Sequence, residues 1–285
     1  MVYLVLTVIT STLIIVVFKL FPRFKISVLQ AITINYLVAS VFGYLNEAGQ
    51  FHIFELIHRP WFPFSLLVGG TLILGFHLFA LSARYAGVAV TGISSRMSVI
   101  IPAALGFLIF SEKATPVKLI GIVAALAAFY LVLAKRGNNK EPDRKMLLLP
   151  FLLFLVIGAN DSLMKYAQFH HIEREFVLFL ATAFAVSLLL GIIILLFRTG
   201  SERPAIKNIV AGTLLGLLNW WSTYYFLRGL DVFDVSVFIP LVNISIVALA
   251  ALTGFFIFRE KLKPVNWLGI LLAMIAIALI ASVIG

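Results

Sequence analysis

The chain has 285 residues, of which 62% are hydrophobic and only 12% are charged, unlike the composition of a soluble domain. It contains no cysteine, so disulfides, thiolate metal sites and cysteine nucleophiles are excluded. The formal net charge of +10 would suggest nucleic acid in a soluble protein, but here most basic residues lie in short loops between apolar segments. We therefore expect a membrane protein with lipid and small-molecule partners, and no nucleic-acid partner.

Apolar stretches long enough to cross about 30 Å of hydrocarbon recur along the whole sequence. Because backbone amides in lipid must be satisfied internally, each stretch is predicted to be a helix. The first lacks a charged leader and a small-residue cleavage pattern, which favours a retained helix over a signal peptide. The ten predicted spans, numbered in chain order, are 2–18, 26–45, 64–83, 88–110, 117–134, 146–167, 176–197, 209–227, 232–258 and 265–284.

A motif near the end of each half indicates an internal repeat. Residues 111–121 and 259–269 both place Glu-Lys, then Pro, then Gly at the start of an apolar helix, and the two copies lie 148 residues apart. Each half holds five spans, an odd number, so the second half enters the membrane with the opposite orientation. The sequence predicts an all-α membrane protein of ten transmembrane helices in two inverted five-helix repeats, 1–134 and 146–285, joined by a polar linker at 135–145.

These features resemble a known family. The five-plus-five plan, the turns at Glu112 and Glu260 and the glycine that follows each turn look like the EamA-type transporters of the drug/metabolite transporter superfamily. The resemblance covers nearly the whole chain, and it implies transport of a small molecule. The end of span 6 is also similar to the first helix of small multidrug resistance proteins. However, Ser11 and Ile157 stand where those proteins carry a proton-binding Glu, which argues against the same proton-coupled device.

Ionisable residues inside the spans are costly in lipid and are therefore functional candidates. Asp161 lies well inside span 6, with Lys165 four residues later on the same face. The two either neutralise each other while Lys165 extends to the interface, or Asp161 serves substrate or proton binding. Arg96 lies about eight residues into span 4 among serines. It either binds an anionic group of the substrate or forms a salt bridge to another helix, for which Asp161 is one candidate partner.

Span 8 carries aromatic side chains near its middle. Trp221 and Tyr225 share one helix face, and Trp220 lies beside them. Their mid-span position favours the wall of a binding pocket over an interfacial aromatic belt. His77 takes the place of Trp221 in the matching span 3, where a lone histidine is more often a hydrogen-bonded core group.

Two asparagines are weaker substrate-binding candidates. Asn35 lies in span 2, and Asn243 lies in span 9, three residues after Pro240. Proline frees a carbonyl one turn upstream and can kink the helix, which either frames a substrate site or has no ligand role. Nothing in the sequence resembles a phosphate loop, a metal cluster or a nucleophile with its base, so we expect no cofactor, no metal and no enzymatic activity.

Two arguments give opposite orientations. The connectors after odd-numbered spans hold 15 basic residues and the opposite face holds five, so the positive-inside rule puts both termini outside. The family resemblance implies cytoplasmic termini. Spans 5 and 10 are expected on the outside of the bundle, where Gly121 with Ala125 and Gly269 with Ala273 permit close helix contact and a homodimer can form. We expect a multi-pass carrier of the bacterial inner (plasma) membrane that works by alternating access. A structural or signalling scaffold is the alternative.

Overall fold

The computed structural model describes residues 1–46, 53–85, 94–95, 97–109, 115–133, 148–172, 175–197, 205–257, 264–265, 267–272 and 274–275. Within these residues the regular secondary structure is helical, and no strand occurs. The predicted linker, both Glu-Lys turns and Arg96 lie outside the described residues. The helices of the described part are α1 (Val2–Phe24), α2 (Val28–Asn46), α3 (Ile53–Leu56), α4 (Phe62–Tyr85), α5 (Ile100–Leu108), α6 (Pro116–Leu133), α7 (Leu148–His171), α8 (Phe176–Phe197), α9 (Ile206–Val232) and α10 (Val235–Phe256).

Six helices in the described part of the chain, α1, α2, α4, α7, α8 and α10, are long and apolar enough to cross a membrane. The protein is therefore an all-α, multi-pass integral membrane protein. Helix α9 has 27 residues but is not one of these six. The prediction of ten transmembrane helices stays a prediction. Helix α5 covers only part of span 4, and span 10 is described only as far as residue 275.

Helix α1 continues beyond the predicted end of its apolar stretch. It runs to Phe24, and Lys25 then adopts a positive φ of 50°. The Ile26 amide donates to the Phe21 carbonyl at 3.0 Å, which closes the helix with a Schellman-type cap. At the end of α7, the Ile172 amide donates to the Ala167 carbonyl at 3.1 Å. Hydropathy locates the apolar part of a helix, whereas these backbone bonds locate its end.

The chain divides into two compact units, and each takes residues from both halves of the sequence. Unit 1 comprises Met1–Ile73 and Leu163–Arg228, and unit 2 comprises Leu74–Ser162 and Gly229–Gly285. The predicted domain boundaries rest on the sequence repeat and stay a prediction.

Unit 1 is built around α2 and α8, which pack in antiparallel directions. A Cβ placed on Gly43 would lie 2.7 Å from the Cβ of Ala181, and one on Gly191 would lie 3.1 Å from the Thr33 hydroxyl oxygen. Between these two contacts, the rings of Tyr36 and Phe184 stack with centroids 6.0 Å apart. Small residues near both ends therefore let the two helices approach closely.

Two further helices of unit 1 dock on this pair through glycines. A Cβ on Gly69 of α4 would lie 2.5 Å from the Ala183 carbonyl oxygen and 2.7 Å from the Cβ of Val186. A Cβ on Gly216 of α9 would lie 2.8 Å from the Asn35 carbonyl oxygen and 2.7 Å from the Cβ of Val38. Only glycine permits this approach, so α4 rests on α8 and α9 rests on α2.

Unit 2 has α10 at its core, packed against α5 and α6. Ile244, Val247 and Ala251 of α10 form a buried cluster with Ala128 of α6 and Ile270. Gly121 and Gly269, the small residues of the predicted dimer contact, are both buried within this single chain. The homodimer stays a prediction.

Candidate functional site

A band of aromatic rings on α9 is the best-defined part of the candidate site. The rings of Trp221 and Tyr225 stack with centroids 5.5 Å apart and planes 23° from parallel. Tyr224 meets them edge-on, at 5.7 Å from Trp221 and 5.6 Å from Tyr225. Phe42 of α2 adds an edge contact to Trp221 at 6.0 Å. The structure thus brings together the pair that the four-residue spacing predicts to share a face, and we call these four rings the aromatic wall.

Trp220 lies behind the aromatic wall. Its side chain is only 1% exposed, whereas Trp221 is 37% exposed. The Trp220 ring contacts Phe42 at 6.1 Å and Phe184 at 6.4 Å, and it covers Gly43. A ring enclosed in this way holds α9 against α2 and α8, so Trp220 supports Trp221 from behind. Its predicted contact with substrate stays a prediction.

A hydroxyl pair joins α1 to the same stretch of α9. Ser11 and Ser222 lie with their Oγ atoms 2.6 Å apart, and Ser222 directly follows Trp221. Sequence reasoning treats Ser11 only as the replacement of a proton-binding Glu, so it misses this contact. No local sequence pattern indicates this contact, because the two serines lie 211 residues apart in the chain.

Asn35 is the most distinctive buried polar group of the unit. Its side chain is 6% exposed, and Oδ1 has no hydrogen-bond partner among the described residues. Burying an unpaired amide oxygen costs free energy, and such groups usually bind water or a ligand. Asn35 therefore remains a good candidate for binding a polar group in the span.

Lys165 is also buried, with 9% of the residue exposed. Its Nζ lies 5.9 Å from the centroid of the Phe169 ring, and the side chain has a further interaction partner. Next to it along α7, the Gln168 amide Nε2 donates to the Leu227 carbonyl at 2.9 Å and links α7 to α9. Lys165 thus lies in an enclosed part of unit 1.

The other described candidates belong to unit 2. Asp161 on α7, His77 on α4 and Asn243 on α10 are all half-buried, and none is without an interaction partner. The Asn243 Nδ2 donates to the Ile239 carbonyl of its own helix at 3.0 Å. Because Arg96 lies outside the described residues, its pairing with Asp161 stays a prediction.

Among the described residues, no three His, Asp or Glu side chains come together in a way that could hold a metal ion. The arrangement in unit 1 combines stacked aromatic faces, a hydroxyl pair and an unpaired amide oxygen inside the spans. Such a set can hold a small organic solute by stacking and hydrogen bonds.

Comparison with known proteins gives a family match over the second half of the chain. Residues 144–282 match the EamA-like transporter family. The chain carries an EamA-like transporter domain. The resemblance predicted from the repeat is confirmed, and members of this family are membrane transporters and not enzymes.

One sequence relative and one solved structure extend the comparison over nearly the full length. An uncharacterized protein of Haemophilus influenzae is 24% identical over 281 residues, which cover 96% of this chain and 95% of that protein. A solved crystal structure superimposes with a TM-score of 0.82 at 12% identity, covering 99% of this chain and 96% of that chain. This second likeness concerns the fold alone.

The Trp221→Ala variant is expected to raise the KM for a transported solute by about threefold to tenfold, because it removes the exposed stacking face of the aromatic wall. The Trp267→Ala variant is the matched control, since Trp267 is 41% exposed and belongs to unit 2. Initial uptake rates over a range of solute concentrations measure both variants. Equal KM values for Trp221→Ala and the wild type would exclude the wall from the substrate site.

Proposed function

We propose that this protein is a secondary transporter of a small metabolite or drug-like solute, working by alternating access in the bacterial inner (plasma) membrane. Its EamA-like domain supports transport in general. The aromatic wall and the unpaired Asn35 oxygen support a polar, partly aromatic solute site within the spans.

A two-fold pattern of helix contacts carries the proposal. Adding 148 to Thr33 gives Ala181, and adding 148 to Gly43 gives Gly191. The Gly43–Ala181 contact and the Gly191–Thr33 contact are therefore the same contact made twice, once from each half. The Tyr36–Phe184 stack joins two residues with the same offset, so it lies where a local two-fold axis would pass.

The docking glycines Gly69 and Gly216 lie 147 residues apart, one less than this offset, and the residues that they contact keep the offset of 148. Gly69 meets Ala183 and Val186, whereas Gly216 meets Asn35 and Val38. Subtracting 148 from 183 and from 186 gives 35 and 38. The backbone bonds at the ends of α1 and α7 are likewise related, by 146 residues.

Equivalent segments that pack antiparallel support two repeats of opposite orientation. In an inverted pair, each half can adopt the conformation of the other half. Exchanging the two conformations opens the substrate site first to one side of the membrane and then to the other. This gives alternating access a physical basis in unit 1.

An uptake screen in proteoliposomes tests the function. Purified protein would be offered amino acids, nucleotides, sugars and cationic drugs, and empty liposomes are the control. Saturable uptake or exchange of one class is the expected result. A chain that is folded and monodisperse but moves no member of any class would favour the structural or signalling scaffold instead.

Orientation gives a separate prediction. The positive-inside rule predicts that a reporter fused after Gly285 reads as outside, while one inserted at Asn139 reads as cytoplasmic. Paired alkaline phosphatase and fluorescent-protein fusions measure both positions. A cytoplasmic Gly285 would contradict the charge argument and favour the orientation implied by the family. Equal readouts at the two positions would contradict five spans per half.

A further inference from the structure

Unit 1 contains a cavity of about 570 Å³, and its lining includes no residue of the aromatic wall. Its volume falls within the usual range of small-molecule sites, about 300–1,000 Å³. The side chains that matter to the argument are Arg59, Trp61, Phe169, His170, His171 and Glu175.

Among the described residues, the carboxylate that lines the cavity is Glu175, and both of its oxygens already have partners. Glu175 Oε1 lies 3.2 Å from Arg59 Nη1, and Glu175 Oε2 accepts a hydrogen bond from Trp61 Nε1 at 2.8 Å. Trp61 is only 1% exposed, so this carboxylate is held by a donor that is itself enclosed in the protein. A cationic ligand would find no unused carboxylate here.

Hydrogen-bond donors, in contrast, remain unused. A guanidinium group has five N–H donors, and the described residues provide Arg59 with no partner other than Glu175. The His170 ring packs against Tyr166 at a tilt of 43° with centroids 4.5 Å apart, and His171 stacks on Phe64 at 4.6 Å. Neither imidazole forms a hydrogen bond within the described part of the chain. The surplus of donors predicts an occupant that is rich in acceptors and anionic.

The position and rim of the cavity predict that this occupant is an amphiphile. The apolar spans of α4 and α8 begin at Phe62 and Phe176, directly after the lining residues, and that of α7 ends at His171. The cavity thus lies at the boundary between hydrocarbon and water. Phe169 on its edge is 61% exposed, and Phe54, in the segment leading to Arg59, is 83% exposed.

We propose that this cavity binds the phosphate-bearing headgroup of an anionic phospholipid. Arg59, His170 and His171 donate to the phosphate oxygens, and the acyl chains pass over the exposed Phe169. In the predicted ten-span topology, Arg59 is one of only five Lys or Arg residues on its face of the membrane. The general attraction of basic loops for anionic lipid acts mainly on the opposite face, so this site is distinguishable from it.

Native mass spectrometry of the full chain tests the proposal. The protein in detergent is titrated with phosphatidylglycerol or phosphatidylcholine. The wild type is expected to bind one phosphatidylglycerol about tenfold more tightly than phosphatidylcholine. The His170→Gln/His171→Gln variant, which leaves the Arg59–Glu175 pair intact, should lose about threefold of this preference, and adding Arg59→Gln should abolish it. The control is Arg23→Gln, an exposed residue at the end of α1, and it should keep the full preference.

A second readout identifies the source of the phosphate. In protein labelled with 5-fluorotryptophan, the Trp61 resonance, assigned by its loss in Trp61→Phe, should shift with phosphatidylglycerol. Equal binding of the two lipids, or an unchanged preference in the triple variant, would overturn the proposal. So would a Trp61 shift produced by inorganic phosphate with the affinity of the lipid, which would assign the cavity to a soluble phosphate group.

Discussion

Replacing Gly69 by leucine is expected to lower the Tm of the purified protein by roughly 3–10 °C. The reason is a clash with backbone, because the first side-chain carbon would lie 2.5 Å from the Ala183 carbonyl oxygen. A carbonyl inside a helix cannot rotate away as a side chain can, so α4 must move away from α8. The same movement breaks the hydrogen bond from the Ser187 hydroxyl to the Gly69 carbonyl, now 2.9 Å long.

The chain provides a closely matched control one residue away. Gly70 lies on the same helix, and a Cβ placed there meets nothing within 4 Å. The Gly70→Leu variant should keep or slightly raise the Tm, because leucine favours a helix more than glycine does.

The Gly216→Leu variant tests the equivalent contact between α9 and α2. If the two-fold pattern of contacts is a property of the folded protein, Gly216→Leu should destabilise it as much as Gly69→Leu does, since it meets the Asn35 carbonyl at 2.8 Å. Thermal unfolding in detergent measures all three variants. A Gly69→Leu protein as stable as Gly70→Leu would contradict the close contact between α4 and α8.

Much of the fold could be predicted from sequence because lipid imposes strict rules. Hydropathy and the need to satisfy backbone amides predict the all-α membrane protein, and the Glu-Lys turns predict the repeat. The short helix α3 is too brief to give a periodic signal. The composition of the two units could not be predicted either, because it depends on contacts such as Gly216 with Val38 that join distant parts of the chain.

Only those contacts of the candidate site that form within a single helix could be predicted from the sequence. The spacing of Trp221 and Tyr225 predicts that they share a helix face, and the structure shows their rings stacked there. The spacing does not say which of two adjacent tryptophans is enclosed, and the burial of Trp220 depends on Gly43 and Phe184 from other helices. The Ser11–Ser222 contact depends on packing over 211 residues and had no local signal.

Replacing Asp161 by asparagine is expected to reduce transport by about tenfold or more, while the protein still inserts and folds. Asparagine keeps the shape of the side chain and removes its charge, and hydrogen bonds to a charged group contribute about 1.5–3 kcal/mol. Asp161 lies mid-way along α7, is half-buried and has an interaction partner, so its charge is only partly solvated. The initial rate of uptake of the solute found in the proteoliposome screen is the measurement, with size-exclusion chromatography as the check of folding.

The matched control for Asp161→Asn is Glu55→Gln, which removes a negative charge from an exposed position on the short helix α3. This variant should transport at the wild-type rate, because its charge is screened by water. An ionisable side chain inside a membrane span persists where it serves a solute, an ion or another buried charge. If Asp161→Asn keeps both the wild-type rate and its pH dependence, the carboxylate has only a structural role. Substrate binding would then have to depend on the aromatic wall and Asn35.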